Sequence, residues 1–220
     1  MIERLNEEES LSPQAGRSIR LLAASSNPGK LREYRALSAA SLAGLAIELD
    51  LLPRFADLPP FDESAPTFAE NAAGKALHYS RYADGPVFAD DSGLEVAALD
   101  GAPGVQSARY AGPDASDGKR ITMLLGELGA HGVADRRAQF VCVLALAERG
   151  RTLGIFSELV QGEILDAPRG AGGFGYDPVF YFRPLAKTFA ELSQEEKNLH
   201  SHRGKAFRKL LEFLTSPPVL

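Results

Sequence analysis

The sequence predicts an α/β protein, and its first fifty residues carry the observations that predict this class. An apolar run over 19–25 suits a buried strand, and a Ser-Asn-Pro-Gly turn would end that strand. Apolar residues at helical spacing over 30–41 then predict a helix, and a second apolar run over 45–52 predicts another strand. Strand, helix and strand in succession are the usual opening of an α/β fold.

The remaining elements follow in order along the chain. Thr67 and Glu70 have the spacing of a capping box, in which two side chains satisfy free backbone N–H groups at a helix start. A Glu-Arg-Gly-Arg turn between two long apolar runs is a hairpin signal. The predicted elements are a loop over 53–66, a helix over 67–82, a strand over 87–89 that ends at 90–93, a further strand over 94–99, a loop over 100–113, a helix over 114–129, hairpin strands over 138–147 and 153–164, an irregular segment over 168–178, a short helix opened by the possible capping box of Ser193 and Glu196, and a helix over 202–214.

The chain length of 220 residues is enough for one large domain, or for two lobes that share one core. Residues 1–18 are polar and acidic, so we predict a flexible leader there, with a short docking arm as the alternative. We predict a single domain over 19–215, because no linker divides the rest of the chain.

Composition excludes several classes of protein. The single cysteine, Cys142, excludes an intrachain disulfide framework and a multi-cysteine zinc site, and its apolar surroundings indicate a core residue. A net charge of -5 argues against a general nucleic-acid binder. Apolar runs such as 140–147 fall far short of the ~20 residues that a membrane-spanning helix needs, and the N-terminus lacks the apolar core of a secretory signal. We therefore expect a soluble, cytoplasmic protein that acts without a membrane.

Charge is distributed unevenly along the chain. Acidic residues dominate the segment 57–95, whereas basic residues dominate the segment 183–213. An acidic cluster can hold a hard cation such as Mg²⁺ and a basic cluster can hold phosphates, so the two together are typical of magnesium–nucleotide chemistry. The alternative is an ordinary solvated surface.

The first segment with chemical potential joins the first strand to the first helix and reads SSNPGK. Backbone N–H groups at a helix start favour anions, Pro28 has the fixed φ of a first helical residue, and Gly29 would let a ligand approach closely. Lys30 would add a point charge for phosphate, although the spacing is not that of a P-loop. The alternative is a plain strand-to-helix turn. The candidate phosphate-binding residues are Ser25, Ser26, Asn27, Pro28, Gly29 and Lys30.

Asp90 and Asp91 follow a buried apolar strand, where α/β folds place ligands. Neighbouring side chains of an extended segment point to opposite faces, so only one of the two aspartates can readily face a given cleft. That carboxylate could bind Mg²⁺, act as a general base on water, or do both. Asp62 and Glu63 could complete a metal site, and Glu70 is a weaker candidate because the capping box already accounts for it. The alternative is a turn, and these residues alone do not choose between the two aspartates.

Three glycines within 170–175 match the dinucleotide pattern G-x-G-x-x-G, which requires a preceding strand and a following helix. Pro168 lies just upstream and aromatic residues follow, so we reject a dinucleotide site. The segment is instead predicted to present Phe174, Tyr176 and Asp177 to a ligand, because aromatic rings stack on bases and a carboxylate accepts hydrogen bonds from a ring N–H. Structural burial is the alternative for Tyr176.

Basic residues near the C-terminus could join the same site. Lys197, His202 and Arg203 would converge if the chain turned at Ser201. His200 and His202 are weak evidence for zinc because no third ligand is obvious, and a solvated helix position is preferred for His200.

Six segments in one order resemble the inosine triphosphate pyrophosphatase family, whose members hydrolyse non-standard purine nucleoside triphosphates such as ITP, dITP and XTP. The family's first motif often begins with Thr. This chain has Ser25 at that position, and serine keeps the hydroxyl group. Each segment is unspecific alone, but six in this order and spacing are specific, and they cover the chain from about residue 19 to about 210. The segments read SSNPGKLREY, TFAENAAGKA, FADDSGLEV, GAPGVQSARYAG, GGFGYDPVF and ELSQEEKNLHSHRGKA.

The resemblance implies an elongated mixed β-sheet with flanking helices, two lobes around a central cleft, and a homodimer. It implies Mg²⁺-dependent hydrolysis of the triphosphate to a monophosphate and pyrophosphate. By position, Asp91 would accept the proton of water and would bind the metal together with Glu63. The implied substrate contacts are Ser25, Ser26, Asn27, Pro28, Gly29, Lys30 and Lys197 for the phosphates, and Ser92, Phe174, Gly175, Tyr176, Asp177, His202 and Arg203 for the sugar and base.

Two other functions compete with this expectation. One is a Maf-like pyrophosphatase that acts on other nucleotides, which a panel of substrates would separate. The other is a nucleotide sensor without catalysis, which the acidic cluster argues against because a binder has no use for a carboxylate that activates water.

Overall fold

The computed structural model describes residues 17–39, 45–130 and 134–216, and the predicted leader up to residue 16 lies outside them. The strands are β1 (Arg17–Ala23), β2 (Leu45–Leu51), β3 (Val87–Val96), β4 (Arg137–Glu148), β5 (Arg151–Ile164), β6 (Phe180–Phe182) and β7 (Lys187–Thr188). The helices are α1 (Pro28–Ala39), α2 (Phe68–Tyr79), α3 (Asp117–Ala130), α4 (Gln194–His200) and α5 (His202–Thr215).

The strands form one mixed sheet in the order β2-β1-β3-β4-β5-β6-β7. β1 runs parallel to β2 and to β3, as expected where helices connect consecutive strands. The pairs from β3 to β7 are all antiparallel, and β4 and β5 form the hairpin that the sequence predicts. The prediction of an α/β protein with a mixed sheet and flanking helices is confirmed.

The strand β3 differs from its prediction in a way that matters for the site. It is continuous and pairs with β4 from Val87, opposite Ala147, to Val96, opposite Ala138. The prediction that the strand ends at 90–93 is therefore wrong, because the polar residues lie in the middle of a paired strand. The predicted strand over 94–99 is a continuation of β3 as far as Val96, after which the chain forms a 3₁₀ turn.

Three apolar clusters hold the helices against the sheet. The first surrounds Tyr34 and Phe207, which join α1 and α5 to the sheet. The second lies beneath α2 around Ala72, and the third joins α3 to the C-terminal strands around Leu124 and Phe180. Among the residues described, no helix is both long enough and apolar enough to cross a membrane.

Several boundaries refine the sequence-based expectations. β1 begins at Arg17, so the last two residues of the predicted leader belong to the sheet. The short strands β6 and β7 were not predicted, because two or three residues are too few for a periodic pattern. The capping box of Ser193 and Glu196 is confirmed, with each side chain bound to the other residue's backbone N–H. At α2 only half of the box forms, because Thr67 accepts from the Glu70 N–H but gives its own hydroxyl proton to the Glu70 carboxylate.

The junction of α4 and α5 leaves no room for a side chain. Ser201 ends α4 and caps α5, where its Oγ accepts a hydrogen bond from the Gly204 N–H at 3.1 Å. A Cβ atom on Gly204 would collide with the backbone carbonyl of Asn198. Only glycine therefore allows α5 to start so close to the end of α4.

We predict that Gly204→Ala lowers the free energy of unfolding by about 1–3 kcal/mol, because backbone atoms must shift to admit the methyl group. Gly126→Ala is the matched control, because Gly126 lies in α3 with nothing within 4 Å of its added Cβ. That change should stabilise the protein by about 0.5–1 kcal/mol. Urea denaturation measures both values, and equal stability of the two variants would contradict the crowded junction.

Candidate active site

A cavity of about 520 Å³ is lined by the start of α1, the middle of β3, the start of α5 and the turn that precedes α3. Of the site residues that the resemblance implies, all except Lys197 line this cavity. The lining residues that were predicted are Ser25, Ser26, Asn27, Pro28, Gly29, Lys30, Glu63, Asp91, Ser92, Phe174, Gly175, Tyr176, Asp177, His202 and Arg203.

Asp90 is a buried anchor and does not line the cavity. Its Oδ1 accepts a hydrogen bond from Lys30 Nζ at 2.8 Å, and its Oδ2 accepts from the Tyr34 hydroxyl at 2.6 Å and from Arg203 Nε at 3.0 Å. Burial would raise the pKa of Asp90, but the charges of Lys30 and Arg203 outweigh it and hold the pKa far below its usual range. Asp90 is therefore ionised and fully engaged by its neighbours.

Asp91, the next residue, is in the opposite situation. It is only 6% exposed, yet its Oδ2 has no hydrogen-bond partner within the described part of the chain. Burial raises the pKa of Asp91 to about 6 despite the nearby charge of Lys30, and the negative charges of Asp90 and Glu63 add to the rise. A carboxylate with a pKa near neutrality, facing a cavity, can accept a proton from water or bind a cation. The structure thus distinguishes the two aspartates, which the sequence could not do.

A chain of ion pairs crosses the molecule behind the cavity. Glu33, on α1, joins two cations: its Oε1 accepts from Lys197 Nζ at 2.6 Å and its Oε2 from Arg203 Nη1 at 2.5 Å. Burial would raise the pKa of Glu33, but Arg203 and Lys197 outweigh it and lower the pKa. Through these contacts each charge meets an opposite one, in the order Asp177, Lys197, Glu33, Arg203, Asp90 and Lys30.

Lys197 lies within this chain, with a side chain 4% exposed, and is not a lining residue. Its ammonium group contacts Glu33 and Asp177 and lies 5.0 Å from the centre of the Phe174 ring. The contacts described here position the loop around Phe174, and the expected contact with phosphate stays a prediction.

The turn between β1 and α1 is largely satisfied by its own side chains. Asn27 Oδ1 accepts hydrogen bonds from the N–H groups of Gly29 and Lys30, at 2.9 and 3.1 Å. Gly29 is required for a reason that the sequence did not reveal: a Cβ there would lie 2.8 Å from the Phe174 ring. The close approach at this glycine is therefore made by an aromatic side chain of the same molecule.

Contacts with α3 and α4 hold the loop around Phe174 in place. Asp177 Oδ2 accepts hydrogen bonds from the Phe174 N–H, at 2.8 Å, and from Lys197, while the Gly175 N–H donates to Asp117 at 2.7 Å. Tyr176 is buried and its hydroxyl donates to the carbonyl of Ser107 at 3.0 Å, which supports the structural alternative for this residue. Burial raises the pKa of Asp177 against the charge of Lys197. Phe174 is thereby left as the half-buried ring that faces the cavity.

His202 and Arg203 form the adjoining wall. The His202 ring stacks on Phe140 with centroids 4.7 Å apart, and its Nδ1 has no hydrogen-bond partner among the described residues. Burial, helped by the charges of Arg203 and Lys197, holds the pKa of His202 well below its usual range, so the ring is neutral. Arg203 uses three of its five N–H groups on Glu33, Asp90 and Ser92, which leaves two for a ligand.

The acidic residues that face the cavity fit a magnesium ion that is held jointly with a substrate. Asp91 Oδ2 is unpartnered, and Glu63 lies on the same cavity with its Oε1 bound to Lys75 Nζ at 2.7 Å. Residues 17–39, 45–130 and 134–216 contain no group of three or more His, Cys, Asp or Glu that could hold a metal alone. Mg²⁺ commonly takes one or two carboxylates and completes its shell with water and phosphate. Asp62, predicted beside Glu63 for the metal site, binds Ser64, and Glu70, the weaker candidate, binds Thr67; neither lines the cavity.

Sequence reasoning missed several residues that line or support the cavity. Lys75 could have been noticed, because it is one of two bases within the acidic segment 57–95. Glu33 gave no local signal, since its partner Lys197 is 164 residues away. The other missed lining residues are Arg32, Gly93, Val105, Ser107, Ala108, Arg109, Asp117, Arg120 and Phe140.

Comparisons with known proteins gave matches over most of the chain. The model of the Ham1 family matches residues 21–213. A protein of Geobacillus kaustophilus named dITP/XTP pyrophosphatase is 50% identical over 192 residues, which are 87% of this chain and 92% of that protein. A Thermus thermophilus protein of the same name is 47% identical over 92% of this chain and 95% of its own. The solved structure of a HAM1 protein from Coxiella burnetii superposes with a TM-score of 0.79 at 43% identity, over 90% of this chain and 98% of that one.

The contrast between the two aspartates predicts opposite effects on stability. Asp90→Asn leaves Lys30 and Arg203 without their shared counter-charge, which should lower the free energy of unfolding by about 3–5 kcal/mol. Asp91→Asn should instead raise it in metal-free buffer at pH 8. The folded pKa of Asp91 is above its unfolded value, so its ionised form destabilises the fold above pH 6 and this penalty disappears below pH 4.

Urea denaturation at pH 8 and at pH 4 measures these differences. The gain from Asp91→Asn should be on the order of 1–3 kcal/mol at pH 8 and should shrink toward zero at pH 4. A loss of stability from Asp91→Asn at pH 8 would show that the carboxylate has partners that this arrangement lacks.

Proposed function

The chain belongs to the Ham1 family, and we propose that it hydrolyses non-standard purine nucleoside triphosphates, namely ITP, dITP and XTP, to the monophosphate and pyrophosphate. The observation that carries this proposal is the buried carboxylate of Asp91, whose Oδ2 has no hydrogen-bond partner among the described residues and which lines the cavity in the middle of β3. Such a group destabilises the fold, so its position calls for a chemical explanation.

In the proposed reaction, Asp91 accepts a proton from the water that attacks the α-phosphorus. The bond between that phosphorus and the α,β-bridging oxygen breaks, and its electron pair leaves with pyrophosphate. A pKa of about 6 suits this role, because at pH 7 to 8 the carboxylate is ionised and still basic enough to take a proton. Asp90 cannot do the same, since three donors occupy its two oxygens.

We propose Mg²⁺ as the cofactor, held by Asp91 and Glu63 together with the substrate phosphates. When bound, the ion neutralises phosphate charge and polarises the reacting group. Lys75 donates to the Glu63 carboxylate at 2.7 Å, which fixes the direction of that side chain.

The substrate would lie with its triphosphate at the 25–30 turn and Lys30, and its base against Phe174. Arg203, with two N–H groups not engaged by the protein, and the neutral ring of His202 would bind the 6-oxygen side of the purine. Adenine presents an amino group in place of that oxygen. Each buried donor then left unpaired costs roughly 1–3 kcal/mol, which is about one to two orders of magnitude in rate.

We also propose that the protein is a cytoplasmic homodimer. On β5, Ile155 and Leu159 are 50% and 44% exposed, large apolar side chains on a sheet face. A twofold interface would place this apolar patch against its own copy and remove both side chains from water. Sedimentation velocity of the wild type and of Ile155→Glu tests this, and a monomeric wild type would refute it.

A turnover panel with Mg²⁺ tests the substrate class. ITP and XTP should be hydrolysed faster than ATP by about two orders of magnitude or more, with weaker discrimination against GTP, which keeps the 6-oxygen. Pyrophosphate should appear rather than orthophosphate, and hydrolysis in ¹⁸O-water should label the monophosphate. Preference for a pyrimidine triphosphate would favour the Maf-like alternative, and binding without turnover would favour the sensor.

A second prediction concerns the proton acceptor. Asp91→Asn should lower kcat by roughly 10²–10⁴-fold, because an amide keeps the shape of the side chain but cannot take a proton. Affinity for nucleotide in the absence of metal should change little. If Asp91→Asn were active and Asp90→Asn were folded but inactive, Asp90 and not Asp91 would be the proton acceptor.

A further inference from the structure

Six cationic side chains line the cavity, and they differ in whether a carboxylate neutralises them. They are Lys30, Arg32, Lys75, Arg109, Arg120 and Arg203. Four of them form ion pairs: Lys30 with Asp90, Lys75 with Glu63, and Arg120 with Asp117. The fourth, Arg203, pairs with both Glu33 and Asp90. Within the part of the chain that the structure describes, Arg32 and Arg109 have no carboxylate partner. These two cations can therefore accept an anionic ligand without breaking an ion pair.

Arg109 is directed to the metal-binding side of the cavity by its hydrogen bonds. Its Nη2 donates to the backbone carbonyl of Glu63 at 3.0 Å, and its Nε lies 3.4 Å from Gln106 Oε1. The guanidinium thus lies beside the residue whose carboxylate we propose for Mg²⁺. The remaining nitrogen, Nη1, makes no hydrogen bond within the described residues, and the side chain is exposed.

The turn that carries Arg109 is fixed to β3 close to Asp91. Ser107 Oγ donates to the Gly104 carbonyl at 2.6 Å and accepts from the Leu94 N–H at 2.8 Å. A Cβ on Gly93 would lie 2.5 Å from the Gly104 carbonyl, so strand and turn are in contact at this point. An arginine on such a support can hold a ligand in a defined place relative to Asp91.

Arg32 lacks this arrangement. It is exposed on α1, and no hydrogen bond of its side chain is found among the described residues. Its charge contributes to the field of the cavity, but nothing orients its guanidinium toward the reacting groups.

We propose that Arg109 binds the β- and γ-phosphates of the substrate and stabilises the departing pyrophosphate, an inference that rests on the proposed function. As the bridging P–O bond breaks, its electron pair passes to the β-phosphate, where negative charge increases. A planar guanidinium can give two parallel N–H groups to phosphate oxygens and neutralise that charge. Lys30, already bound to Asp90, is left to the α-phosphate side.

The test compares Arg109→Gln, Arg109→Lys and the control Arg151→Gln, which removes an exposed charge on β5 far from the lining residues. Calorimetry with Mg²⁺ measures the affinity for inorganic pyrophosphate and, separately, for inosine monophosphate. In Arg109→Gln the affinity for pyrophosphate should fall by roughly 10- to 100-fold, whereas the affinity for the monophosphate should stay within about twofold. Arg109→Lys should be intermediate, and kcat for ITP should fall in the same order.

Two results would overturn the inference. One is an unchanged affinity for pyrophosphate in Arg109→Gln. The other is an equal loss of affinity for pyrophosphate and monophosphate together with a lower melting temperature, which would show that Arg109 only supports the loop at Glu63. Failure of the proposed function would be visible separately, because the wild type would then release no pyrophosphate from any purine triphosphate.

Discussion

The cavity depends on one continuous chain of buried ion pairs. It connects the loop of Phe174 to α4, α1 and α5 and finally to the middle of β3, so that five elements share one set of contacts. Buried ion pairs add little to stability by themselves, because desolvation offsets most of the attraction, but loss of one partner leaves an uncompensated charge. The chain therefore acts mainly as a positional constraint. Its members are Asp177, Lys197, Glu33, Arg203, Asp90 and Lys30.

This constraint explains how two adjacent aspartates acquire different properties. Asp90 lies between Arg203 and Lys30 in the chain and is ionised because of these two cations. Asp91 points to the other face of β3, where burial raises its pKa to about 6 although Lys30 and Asn71 act to lower it. Because successive side chains of a β-strand point to opposite faces of the sheet, Asp90 joins the buried ion pairs whereas Asp91 faces the cavity.

Much of the architecture was predictable because it is encoded locally. Apolar periodicity identified the longer strands and the helices, and the resemblance identified fifteen of the twenty-five lining residues. The middle of β3 was misread because Asp90, Asp91 and Ser92 look like a turn, and only pairing with β4 makes them a strand. Lys197 was predicted to contact phosphate, and its place within the ion pairs was not foreseen. Its burial depends on Glu33, 164 residues away, and no pattern in one sequence reveals a contact at that separation.

The central claim is that Asp91 holds a proton to near-neutral pH while Asp90 does not. A ¹³C NMR titration of the aspartate carboxyl groups, in metal-free buffer and with Asp91→Asn to assign the signal, measures both directly. One resonance should titrate with a midpoint near pH 6 and vanish in Asp91→Asn, and the Asp90 resonance should stay ionised throughout the range in which the protein is folded. An Asp91 midpoint near 4, or a titration near 6 that survives in Asp91→Asn, would contradict the account.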